Sequence, residues 1–188
     1  MKRYDFNNKS WESDFIYATS PVTKAKKTFP DAEAGVITVG YNEEISDYDY
    51  ISVITKEKYG CGTTATLNCS FDKKGAPLIV FTSPLGENKV YGLHFEAVVY
   101  EGGLNVWHIV PCPERIERPI RPTKLLGEKF EITNNEITKL SVHFLKKALE
   151  ITVNDKKFTV ECEEFPEEFH VGFTACEGIC RFYDFTVE

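Results

Sequence analysis

The residues best suited to chemistry in this 188-residue chain fall in one stretch, Tyr91-Gly92-Leu93-His94-Phe95-Glu96-Ala97-Val98-Val99-Tyr100-Glu101-Gly102-Gly103-Leu104-Asn105-Val106-Trp107-His108-Ile109. An imidazole (His94), a carboxylate (Glu96) and a phenol (Tyr100) precede Gly102-Gly103; a carboxamide (Asn105) and an indole (Trp107) follow it. Two adjacent glycines take positive φ without a Cβ clash, which marks a β-hairpin. Side chains alternate between the faces of a strand, so the members of each arm share a face. A two-residue loop centred on Gly102-Gly103 pairs Tyr100 with Asn105, Val99 with Val106 and Val98 with Trp107. Phe95, Ala97, Val99, Leu104 and Val106 then form an apolar, core-facing side. His94, Glu96, Val98, Tyr100, Asn105 and Trp107 form the other.

Flat rings beside groups that donate and accept hydrogen bonds suit a carbohydrate. Its C–H face stacks on an aromatic ring, and its hydroxyls exchange hydrogen bonds with carboxylate, amide and imidazole groups. The expected platforms are Trp107 and Tyr100, and the expected polar contacts are Glu96, Asn105 and His94. If the ligand is cut as well as held, Glu96 is the candidate acid/base. Glycoside hydrolysis needs a second carboxyl group, and no spacing sets Glu114, Glu117 or Asp184 opposite Glu96. The plain alternative is that Trp107 is core and Glu96 merely solvated; a three-residue loop would shift the parity and send Trp107 into the core with Phe95 and Val99.

The elements that must carry this hairpin read as strands. From Tyr48 onward strand signals recur at short intervals: Tyr48 to Thr55, Gly62 to Phe71, Pro77 to Phe81, Lys89 to Tyr100, Leu104 to Val110, Lys129 to Thr133, Thr138 to Leu145, Leu149 to Val153, Phe158 to Glu161, Phe169 to Ala175 and Arg181 to Val187. Asp72-Lys73-Lys74-Gly75 and Val153-Asn154-Asp155-Lys156 read as turns. Pro111 to Pro122, with four prolines, reads as a crossing segment too broken for a central strand. Residues 1–45 are the hardest to read, with Trp11, Phe15, Ile16 and Tyr17 as an early strand or a cover over a sheet end. No repeat or linker divides the chain, so the expected architecture is one domain over residues 1–188, an all-β, two-sheet antiparallel sandwich.

Three stretches resemble the concanavalin A-like lectin/glucanase superfamily, which includes laminin-G-like modules and bacterial jelly rolls. Tyr91 to Trp107 resembles its long concave-face hairpin. Leu149-Glu150-Ile151-Thr152-Val153-Asn154-Asp155-Lys156 resembles its Val-Asn-Gly-Lys hairpin, with Asp155 in the place of glycine. Val171 to Ala175 with Arg181 to Val187 resembles its closing strand pair. The resemblance implies a jelly roll with its ligand on the concave sheet. It departs from the glucanase members at the Glu-x-Asp-x-Glu strand, which has no counterpart here, and from legume lectins in lacking a visible cluster of calcium ligands.

Composition narrows the partners. The net charge of −7 repels phosphate backbones, so nucleic acid is not expected; it also disfavours anionic membranes and acidic polysaccharides. Met1-Lys2-Arg3 is followed by no apolar run, and no stretch is long enough to span a bilayer, so a cytoplasmic location is expected. Cys61, Cys69, Cys112, Cys162, Cys176 and Cys180 are expected as free thiols there, since their spacing lacks the two close pairs of a zinc site. No cofactor or metal is expected, though a structural calcium assembled from carbonyls and distant carboxylates stays open; Asp47 and Asp49 alone are too few. Arg115, Arg118 and Arg121 would line one side of an extended segment, where they clamp an acidic group or pair with surface acids. Oligomeric state is not legible.

Overall fold

The computed structural model describes residues 1–18, 29–43, 46–48, 51–82, 85, 89, 91–175 and 177–188. Cys176 and Asp49 therefore lie outside the described residues. The strands are β1 (Lys2–Tyr4), β2 (Phe15–Tyr17), β3 (Ala32–Glu33), β4 (Val36–Val39), β5 (Tyr41–Asn42), β6 (Asp47–Tyr48), β7 (Ile51–Thr55), β8 (Tyr59–Gly60), β9 (Thr64–Asp72), β10 (Pro77–Thr82), β11 (His94–Tyr100), β12 (Gly103–Pro111), β13 (Ile120–Lys129), β14 (Thr138–Leu145), β15 (Ala148–Val153), β16 (Lys156–Glu161), β17 (Glu168–Ala175) and β18 (Ile179–Val187). One 3-10 helix, Lys9–Asp14, precedes β2.

Two antiparallel sheets face each other. The first runs β16-β15-β14-β9-β18-β4-β3, with β1 beside β18; the second runs β13-β12-β11-β10-β17-β7-β2, with β8 beside β17. Period-two alternation in β9 and β14 turns Ala65, Leu67, Leu140 and Val142 inward. Aromatic rings pin the layers together. Phe81 of the second sheet meets Phe144 of the first at 4.9 Å, and Phe173 meets Phe182 at 4.9 Å. This is the sandwich that the strand pattern predicts, with the inward faces fused into one apolar core.

Several expectations are corrected. The strand expected at Lys129 to Thr133 is displaced: β13 spans Ile120–Lys129 and contains Pro122. It stands at the edge of the second sheet, where a missing N–H removes no ladder bond that the core depends on. The proline-rich segment before it is not extended. Cys112 N donates to Pro119 O at 2.9 Å and Arg115 N to Cys112 O at 3.0 Å, which folds it into a closed loop. Arg115 Nη1 caps Ile120 O at 3.0 Å, so the three arginines do not act as a row. Trp11 lies on the 3-10 helix and is buried among Phe6, Phe15 and Phe29. The Asn154 turn forms as read, with Val153 opposite Lys156 and Asn154 at φ 55°.

Candidate functional site

The β11–β12 hairpin pairs Tyr100 with Gly103, Val98 with Asn105 and Glu96 with Trp107. Its turn is Glu101-Gly102, one residue earlier than the glycine pair suggests. Each β11 residue meets a partner two places earlier on β12 than expected. A displacement of two keeps every side chain on its face, whereas a displacement of one would have inverted them. The glycines have other tasks. A Cβ on Gly103, which sits at φ +130°, would lie 2.1 Å from Glu128 O of the neighbouring strand. A Cβ on Gly102 would lie 2.5 Å from Tyr100 Cε2, so this glycine makes room for the Tyr100 ring.

Glu96, Val98, Tyr100, Asn105 and Trp107 consequently share the outward face of the second sheet. They line an open groove of about 610 Å³. Lys74, Ala76, Glu101 and Glu177 close it at the hairpin-tip end; Ile109, Pro122 and Arg118 close it at the other. Trp107 is half-buried and rests on the apolar cluster that includes Val80 and Val98. It is not sealed between the layers.

Sequence reading missed the contribution of β13. Its ladder with β12 slips between Val106 and Trp107: Val106 pairs with Leu126 but Trp107 pairs with Lys124. This bulge brings Lys124 alongside Trp107, with Nζ 4.8 Å from the ring centroid. Asn105 pairs with Gly127. A Cβ there would approach Lys124 Cδ to 3.1 Å and Asn105 Oδ1 to 3.3 Å. No sequence signal reveals these neighbours, because an edge strand carrying a proline lacks the usual pattern.

His94 occupies a different position from the other four. It is 2% exposed and reaches the groove only through Glu96, whose Oε1 lies 3.5 Å from His94 Nε2. His94 Nδ1 faces Gly92 O at 3.0 Å, so Nδ1 must carry the donated proton. Nε2 then bears hydrogen only as imidazolium. Tyr91 lies against the imidazole, 4.7 Å between ring centroids. Its buried hydroxyl bonds Ser52 Oγ, which bonds Thr174 Oγ1 at 2.7 Å. Burial pushes the Tyr91 hydroxyl well above the ordinary phenol range. Leu85, Ala18, Ile54, Leu78 and Val80 gather in the same cluster, so this part of the outward face is roofed while the Trp107 part is open.

The other candidates disperse. Asp184 lies on the first sheet, bonded to Asn68 at 2.9 Å and paired with Arg3. Glu114 is on the exposed loop, where the Cys112 thiol donates to it at 2.7 Å and holds its carboxyl below the usual range. Glu117 is exposed on that loop and does not line the groove. His143 and His170 are engaged elsewhere, with Thr64 Oγ1 at 2.9 Å and Thr55 O at 2.8 Å. His108 faces the core, stacked on Phe95 at 4.6 Å, with Glu164 Oε2 3.3 Å from its Nε2. Cys61, Cys69, Cys112 and Cys162 are free thiols. Among the described residues, no three His, Cys, Asp or Glu side chains gather as a metal set.

The sequence matches no protein-family model and no curated protein. Solved structures do match. The carbohydrate-binding module CBM66 from Bacillus subtilis superposes with a TM-score of 0.60 at 13% identity, covering 91% of this chain and 99% of the module. The kappa-carrageenase from Pseudoalteromonas carrageenovora, in complex with an oligotetrasaccharide of kappa-carrageenan, gives 0.67 at 8% identity over 99% of this chain and 92% of the enzyme. A glycoside hydrolase family 16 endo-glucanase from Bacteroides ovatus gives 0.65 at 10% identity over 100% of this chain and 99% of the enzyme. These neighbours are concanavalin A-like jelly rolls, and this chain has that fold. Identities this low carry the fold alone.

Proposed function

We propose that the chain holds a carbohydrate in the groove over β11, β12 and β13. Trp107 and Tyr100 serve as platforms, and Glu96 and Asn105 bond the sugar hydroxyls. One observation carries this reading: rings and hydrogen-bonding groups converge on one open groove, and neighbouring side chains leave most of their hydrogen-bonding capacity untaken. Among the described residues, Tyr100, Asn105 and the Trp107 indole N–H make no side-chain hydrogen bond to protein, and Glu96 meets only His94. Support for a glycan ligand also comes from the neighbours, which include a carbohydrate-binding module and glycoside hydrolases. The test is a glycan array followed by calorimetry on the hits. Binding that vanishes in Trp107→Ala, with thermal unfolding still cooperative, supports the reading; no hit across a broad array overturns it.

A second reading, cleavage of the glycan with Glu96 as acid/base, is favoured by one feature. The His94 imidazole stands beside the Glu96 carboxyl, its Nε2 3.5 Å from Oε1, where a general acid or base would need a polar neighbour. Its weakness is the second carboxyl group: Glu101 and Glu177 line the groove, but both lie at the hairpin-tip end. Product release that is lost in Glu96→Gln would raise this reading above simple binding. Retained turnover in that variant would remove Glu96 from the chemistry.

A further inference from the structure

We propose that the subsite at Trp107 selects an acidic sugar, a pyranose carrying a carboxylate or a sulfate, through Lys124 with help from Arg118. The inference rests on the carbohydrate reading above and adds the ligand's charge. Lys124 lies over the indole, 4.8 Å from its centroid, where a stacked sugar ring must sit. The indole also packs on the apolar cluster, which takes up part of its surface. A sugar that stacks on the face under Lys124 must move the ammonium aside. A neutral sugar forfeits the cation–π contact, about two- to five-fold in affinity at an exposed site. An acidic sugar converts it into a charged hydrogen bond, which is stronger than a neutral one.

The surroundings favour that exchange. Lys124 is placed beside Trp107 by the β13 bulge, and glycine at 127 gives its side chain clearance. Arg118 lines the same end of the groove, and neither cation has an ion-pair partner among the described residues. The nearest acid across the strand, Glu96, turns toward His94. The other two groove carboxylates, Glu101 and Glu177, sit at the far end with Lys74. The overall charge of −7 argues against polyanions at long range. Within a subsite narrower than the screening length of about 8 Å, the adjacent groups decide.

The experiment compares trigalacturonate with its fully methyl-esterified form, and sulfated with unsulfated galactotriose, by calorimetry on wild type, Lys124→Met and Lys124→Arg. At least one acidic probe is expected to bind ten-fold or more tighter than its neutral counterpart. Lys124→Met should erase that preference and Lys124→Arg should keep it. The carboxylate and sulfate arms identify which group is read. Equal or tighter binding of both neutral probes, or an unchanged preference in Lys124→Met, overturns the inference while leaving the carbohydrate reading in place. If no glycan of either charge binds, here or on the array, both fall.

Discussion

The two outward faces of the sandwich hold their polar side chains in different states of engagement. On the first sheet the polar groups bond one another: Thr64 with His143 at 2.9 Å, Thr66 with Ser141 at 2.8 Å, Asn68 with Asp184 at 2.9 Å, and Ser70 with Tyr183 at 2.9 Å. Each pair is a cross-strand contact of the kind that stabilises a sheet. On the open part of the second sheet, Glu96, Tyr100, Asn105 and Trp107 are surrounded by glycines, a bulge and an apolar floor, and they do not bond one another. A polar face is therefore a poor guide to a binding site. Polar groups gathered without internal partners are a better one.

The difference yields graded expectations. Trp107→Ala should weaken glycan binding about a hundred-fold or more, as truncation of a central aromatic anchor does. Tyr183→Phe on the opposite face should leave binding unchanged, and a matching loss there would break the comparison. Glu96→Gln should weaken binding about ten-fold, since a charged acceptor becomes a neutral one while the side chain keeps its size. Tyr91→Phe probes the roofed part: Ser52 and Thr174 keep their mutual bond, so chemical denaturation should report a loss of about 1 kcal/mol and calorimetry no change in affinity. Thr66→Val should cost about 0.5 kcal/mol or less, with binding unaltered.

A site between the layers gives a pH control. Burial lowers the affinity of His108 for a proton, opposed in part by Glu164. The unfolded chain thus takes up that proton more readily than the folded one. The resulting penalty is absent above the unfolded histidine value of about 6.5 and grows as pH falls through it. His108→Phe should lose less thermal stability than wild type between neutral pH and pH 5, and an equal loss would place the acid sensitivity elsewhere.

Much of this was legible because parity is robust. The glycine pair misplaced the turn by one residue, yet the faces came out the same, since both arms alternate and the ladder moved by two. The sandwich was legible from strand spacing and aromatic content. Burial at His94 was not, because it depends on Tyr91 and its neighbours folding back over the sheet, a contact between elements and not a property of either strand. Lys124 and Gly127 escaped for a related reason. A bulged edge strand with a proline breaks the period that identifies strands, and only the ladder to β12 reveals which of its residues face the groove.

In sequence, β17 and β18 follow every other strand, yet neither is at an edge. β17 lies between β10 and β7, and β18 lies between β9 and β4. Each works as a keystone set into an arch whose stones are already cut. Without them each sheet is in two pieces, with open flanks that have no strand to join them. Closure of both sheets therefore waits for β17 and β18, and losing either would split a sheet rather than trim it.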